Sequence, residues 1–236
     1  MGDNAAPENE IIVQAPAKVN LCIRVLDRLT NGYHGLWSLM HTVDLFDQLR
    51  IGLNPTHDQV QLTCDNAILP VDRENLVYRA AEAVLQRAKL VVGLDIELRK
   101  AIPLAAGLGG GSSDAAATIY GLGHLLKLEW ELSEMSEVGA ALGSDIPFFL
   151  HETACTCRGR GELIQPVRGL KKLDLVIVRP PIGLSTLAPV RDISAGRSSS
   201  RGPPSSFCGA RASPGSTCRG GGSSRFPRSD AGGAAP

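Results

Sequence analysis

Aromatic residues make up 4% of this 236-residue chain, and no apolar run approaches the roughly 20 residues a bilayer span requires. A transmembrane helix is therefore not expected. The opening segment MGDNAAPENE contains three acids and no base, so neither a secretory signal nor a transit peptide is read there. Six cysteines (Cys22, Cys64, Cys155, Cys157, Cys208 and Cys218) form no C-x-x-C pair, and Cys155-Thr156-Cys157 is too tight for a usual zinc pair. Without an export signal they read as reduced thiols of a cytoplasmic protein. What the chain does have is 43% hydrophobic residues, enough to bury a real core and to exclude wholesale disorder or a fibrous repeat.

A net charge of zero conceals an uneven distribution. Residues 1–187 carry 17 Lys+Arg against 22 Asp+Glu, whereas residues 188–236 carry seven Arg, no Lys and two Asp. Composition changes at the same point: 40 of the last 49 residues are Ser, Gly, Arg, Ala or Pro. Burial in such a segment cannot offset an ordering cost of about 1–2 kcal/mol per residue, so disorder is expected over 188–236, as over 1–10. An Arg/Gly/Ser tract could hold RNA through its guanidinium groups, but RGG and RS repeats are missing and no tyrosine is present to stack a base. A shifted reading frame through G+C-rich DNA yields the same five residue types, and the composition favours that origin over nucleic-acid binding.

Periodicity predicts an α+β fold. Residues 11–26 read as two short strands broken at Pro16, and further strands are expected at 36–45, 48–53, 59–64 and 94–100. The spacing of Leu76, Ala80, Val84 and Ala88 predicts a helix over 75–90 capped by Asn75. A second helix is expected over about 113–126, and a third from Ser133 to near Gly143. Leu173–Val178 (LDLVIV) reads as a buried strand. Several antiparallel hairpins are implied, unlike the strict alternation of a doubly wound sheet.

The sharpest chemical signal is Pro103–Ala116, PLAAGLGGGSSDAA, between a strand and a helix. Gly107, Gly109, Gly110 and Gly111 let backbone N–H groups face outward, and Ser112, Ser113 and Asp114 follow at a helix N-terminus, where unpaired amides attract anions. A phosphate cradle is the reading. It is not a Walker A loop, since no lysine lies between Lys100 and Lys127. Nor is it a dinucleotide fingerprint, which would put glycine where Ser112 stands. A protein-kinase loop would run between two strands.

The segment GLGGGSSDAA resembles the phosphate-binding motif of the GHMP small-molecule kinases. PAKVNLCIRVLDRLTNGYHGLWSLMHTVDLFDQL, ENLVYRAA (74–81) and GSDIPFFL (143–150) resemble, in the same order, the members acting on a cytidine diphosphate methylerythritol. The resemblance implies a GHMP-kinase N-terminal domain (ribosomal protein S5 domain 2-like) over 11–165, an incomplete C-terminal domain over 166–187, ATP and Mg2+ as cofactors, and a small-molecule substrate. It implies that Asp145 accepts the proton of the attacking hydroxyl and that Lys18 orients Asp145 and stabilises transition-state charge. Pro103, Leu104, Ala105, Ala106, Gly107, Leu108, Gly109, Gly110, Gly111, Ser112 and Ser113 would bind ATP. Asn75 would contact ATP or merely cap its helix. Asn20 would meet the polyol, His34 would read the cytosine and Tyr33 would support it. No carboxylate cage for Mg2+ is identified. The match ends after PPIGLST (180–186), and no Gly-Ser-Gly-Ala or Gly-Thr-Gly-Ala follows, so little turnover is expected. Alternatives are another GHMP kinase, or a nucleotide-binding protein without activity whose basic tail makes contacts.

Overall fold

A computed structural model describes residues 9–28, 34–151, 153–159, 161, 163–170 and 173–179, all within the first of two units, Met1–Gly183. The tail expected to be disordered lies in the second unit, Leu184–Pro236, outside the described residues. In chain order the elements are β1 (Glu10–Arg28), β2 (His34–Leu53), β3 (Val60–Cys64), α1 (Leu76–Ala88), β4 (Leu94–Arg99), α2 (Gly110–Leu125), α3 (Leu132–Leu142), α4 (Ile146–Leu150), β5 (Cys155–Gly159) and β6 (Leu163–Pro166).

One six-stranded sheet runs β3-β4-β2-β5-β6, with β1 paired to β2. Every pairing is antiparallel except β3 with β4, which are parallel and joined through α1. Strand β2 is long enough to pair β5 along residues 36–40 and β4 along 48–53. The two strands expected over 11–26 are one, because Pro16 falls at a register shift: it pairs with Phe46 while Ala17 pairs with Val43. A bulge at that point absorbs the missing N–H of proline without ending the strand. The strands expected at 36–45 and 48–53 are likewise continuous. Glu10, placed by composition in a disordered terminus, opens β1 opposite Gly52, and the Leu53 amide donates to the Asn9 carbonyl at 2.8 Å.

Alternation explains β4, where Leu94, Ile96 and Leu98 are buried and Asp95 and Arg99 are exposed. Helix α1 buries Val77, Ala80, Ala81 and Val84, a stripe at i, i+3, i+4 and i+7, and ends at Lys89 in the left-handed region (φ 54). Helix α2 is buried on most sides, as its alanines and glycines permit: a Cβ on Gly121 would stand 3.0 Å from both Ile51 and Val13 of the sheet. A Glu131–Glu134 capping box starts α3. Leu173–Val178 is not a strand; it is irregular and exposed, Val176 at 92% and Val178 at 82%. An apolar run becomes a buried strand only beside a partner, and among the described residues none pairs with it.

Candidate active site

The glycine turn is held from beneath. Leu108, 7% exposed, packs with Ala17 and Ile102, and the Lys18 amide donates to the Leu108 carbonyl at 2.9 Å, fastening the turn to β1. Left-handed backbone occurs at Ala105 (φ 53), Gly107 (φ 71) and Gly109 (φ 73). Ala105 carries a strain of about 1–2 kcal/mol that glycine would not. Helix α2 begins at Gly110, three residues earlier than glycine's weak helix propensity had implied, with Gly109 as N-cap and no side-chain cap. Ser112 and Ser113 therefore lie inside the first turns. Among the described residues no protein acceptor takes the amides of 107–112, whereas the Ser113 amide bonds to the Gly109 carbonyl at 2.9 Å. Ser113 is buried with its hydroxyl unpartnered. Asp114, read with the serines as part of the anion-facing terminus, instead points into the protein, where it pairs with Lys100 at 2.6 Å.

Lys18 of β1 and Phe149 of α4 close over this turn. A Cβ on Gly109 would come within 2.8 Å of the Phe149 ring and 3.0 Å of the Lys18 side chain, so only glycine allows the approach. Asp145 is the N-cap residue of α4, yet its carboxylate makes no cap hydrogen bond. It lies beside Gly161, where a Cβ would stand 3.6 Å from Oδ1. Lys18 is 8% exposed, and its Nζ donates to Asn20 Oδ1 at 2.6 Å. Burial pushes the Lys18 ammonium below its ordinary range, and the Asp145 carboxylate works against that, followed by Cys157. The Cys157 thiol is pushed up to about 12, first by burial and then by Cys155 and Asp145. It is therefore uncharged at neutral pH, and Asp145 is the effective counterweight.

Four further positions were singled out by sequence. Asn20 shares a strand face with Lys18, and its Nδ2 donates to Ser38 Oγ at 2.8 Å. Asn75 is the cap of α1: its Oδ1 accepts from the Val77 amide at 2.9 Å, and its Nδ2 donates to the Pro70 carbonyl at 2.7 Å. Leu76, next in sequence, lies 3.6 Å from where a Cβ on Gly111 would be, so this cap sits near the turn. His34 opens β2 opposite Arg28. Tyr33 lies outside the described residues. Among the described residues no group of acids, histidines and cysteines is arranged for a metal ion, and no helix is long and apolar enough to cross a membrane.

Sequence reasoning passed over Ser38, Phe149 and the Asp47–Lys100 pair. Ser38 is 5% exposed, donates to the Cys22 carbonyl at 3.0 Å and thereby offers its lone pairs to Asn20. Its partners stand 16 and 18 residues away. A serine in a strand carries no signal of such a bond. Phe149 was visible only as part of an apolar run.

The sheet and the helix behind the glycine turn are similar to one class of protein: residues 75–153 match the family model described as GHMP kinases N terminal domain. Within that class, the chain is 44% identical over 172 residues to the 4-diphosphocytidyl-2-C-methyl-D-erythritol kinase of Heliobacterium modesticaldum, covering 73% of this chain and 55% of that protein. It is 43% identical over 176 residues to the same-named kinase of Geobacter metallireducens, covering 75% and 62%. A crystal structure of 4-(cytidine 5'-diphospho)-2C-methyl-D-erythritol kinase superposes with a TM-score of 0.57 at 39% identity, over 66% of this chain and 55% of that one. The mevalonate kinase of Methanococcus jannaschii shares the fold alone, at 17% identity and a TM-score of 0.52 over 68% of this chain and 56% of that one. The chain spans 55% and 62% of the length of these two curated relatives.

Proposed function

We propose that this chain carries the nucleotide-binding half of a small-molecule kinase that transfers the γ-phosphate of ATP to the 2-hydroxyl of 4-diphosphocytidyl-2-C-methyl-D-erythritol. The observation that carries the reading is the junction at Gly109. The amides of 107–112 around it have no acceptor among the described residues, and Lys18 lies against it with Asp145 coupled through charge. Polyphosphate oxygens would accept from those amides, aided by the positive end of α2. Asp145 would take the proton of the acceptor hydroxyl as its oxygen attacks the γ-phosphorus and ADP departs. Lys18, held by Asn20, would stabilise the charge spreading over the transferred group. Mg2+, which a nucleotide's phosphates hold largely by themselves, would neutralise their charge as MgATP.

The acceptor's cytosine would be met by His34 and Tyr33, and its polyol by Asn20. The test measures MgATP binding and γ-phosphate transfer to the cytidylated methylerythritol. Binding lost in Gly109→Ala, with any transfer lost in Asp145→Asn, supports the reading. Full binding by Gly109→Ala, or transfer preserved in Asp145→Asn, overturns it. Preference for homoserine or a mevalonate phosphate in the same assay would move the chain to another GHMP activity.

A further inference from the structure

The interior beneath the glycine turn holds a charged cluster that the proposed chemistry does not use. We propose that Lys100, Asp47 and Asp114 form a positioning device that locks the end of β4 to the first turn of α2 and so keeps the amides of 107–112 turned outward; this rests on the reading of that turn as a nucleotide cradle. Lys100 Nζ donates to Asp47 Oδ2 and, at 2.6 Å, to Asp114 Oδ2. The other oxygen of Asp47 accepts the amides of Ala101 at 2.6 Å and Ile102 at 2.8 Å, the two residues before Pro103. One carboxylate thus holds both the ammonium and the chain entering the turn. The three side chains are 4%, 0% and 3% exposed. Gly110, the first residue of α2, rests on them: a Cβ there would stand 3.3 Å from Lys100 Nζ and 3.4 Å from Asp47 Oδ2.

Charge counting within the cluster leads further. Two carboxylates face one ammonium, so neutrality requires one more proton. Asp47 is saturated with donors, whereas Asp114 has a buried Oδ1 with no partner. Burial raises the Asp114 carboxyl to about 8, with Asp47 adding to the rise and Lys100 opposing it. Burial would lower Lys100, but Asp114 and Asp47 together outweigh it and the ammonium is raised. The remaining titratable groups facing the cluster come from the end of β3. Asp65 accepts the Lys100 amide at 3.0 Å, and burial is the main cause raising the Cys64 thiol, which stays uncharged. The device is therefore neutral at pH 7 and gains a negative charge as pH rises past about 8. An extra anion beneath amides that bind anions weakens their grip.

The experiment uses the full chain and MgATP, with affinity measured by calorimetry between about pH 7 and pH 9, the range around the Asp114 value. Asp114→Asn, which mimics the protonated acid, is expected within about twofold of wild type at pH 7 and without the wild-type loss of affinity toward pH 9. Asp47→Asn is expected to bind about tenfold more weakly throughout, with faster hydrogen exchange of the amides of 107–112 in the unliganded chain. If Asp114→Asn keeps the alkaline decline, or Asp47→Asn matches wild type in affinity and exchange, the device is overturned while the cradle stands. If Asp47→Asn fails to fold, the pH profile of Asp114→Asn decides alone. Wild type failing to bind MgATP at any pH overturns the cradle and the device with it.

Discussion

Lys18 is pulled in two directions, and the balance is testable at a single atom. Burial lowers its pKa and Asp145 raises it, so Asp145→Asn must lower it further. Titration of the Lys18 side chain by heteronuclear NMR is expected to move to lower pH in that variant; an unchanged titration would mean the two residues are electrostatically separate. Gly109 offers the second residue-scale prediction. Alanine there adds a methyl 2.8 Å from Phe149 at a φ of 73°, and the expected cost is about 2–4 kcal/mol in a denaturant melt, with loss of MgATP binding. Lys18, Asp145 and the glycines were legible because each stands in a compact motif. Ser38 and Asp47 were not, because their bonds reach 16 residues or more along the chain, and nothing local marks a serine or aspartate that will be buried.

At the scale of elements, helix starts divide the legible from the illegible. Asn75 announced α1 correctly, because a cap acts on amides two residues away. Asn75→Ala should cost about 1 kcal/mol, while Asn75→Ser should recover most of it. If Asn75 is only a cap, MgATP affinity will follow stability in these two variants. Weak binding by a stably folded Asn75→Ser would assign it to the nucleotide. The start of α2 was misjudged by three residues. Gly110 and Gly111 are poor helix formers, and Gly110 is helical because its missing Cβ lets it sit on Lys100 and Asp47. Gly121 in the same helix makes a close approach to the sheet, and Gly121→Val should destabilise the chain by about 1–3 kcal/mol through overpacking against Ile51 and Val13.

For the whole molecule, the cluster under the turn links stability to pH. The carboxyl of Asp114 titrates near 8 in the folded chain and from 3.8 as an ordinary aspartate. A group raised on folding contributes stability that is complete below its unfolded pKa and is lost as pH rises through the folded one. Wild type is therefore expected to lose stability relative to Asp114→Asn between about pH 4 and pH 8, with parallel behaviour above that range. Denaturant melts of the two proteins across this range provide the check, and parallel curves throughout would remove the proton from Asp114.

That strands and helices would mix, and that the glycine turn, Lys18 and Asp145 were the candidates for a site, could be read in the sequence, because periodicity, caps and glycine runs act over a few residues. Three-dimensional packing alone decided that Pro16 would bend a strand rather than end it, and that Leu173–Val178 would lie exposed without a strand partner among the described residues. It also turned Asp114 inward, onto a buried lysine. Each of those outcomes depends on which distant group arrives alongside. The free energy of a buried charge or an unpaired strand is set by that neighbour, not by the residue's own chemistry.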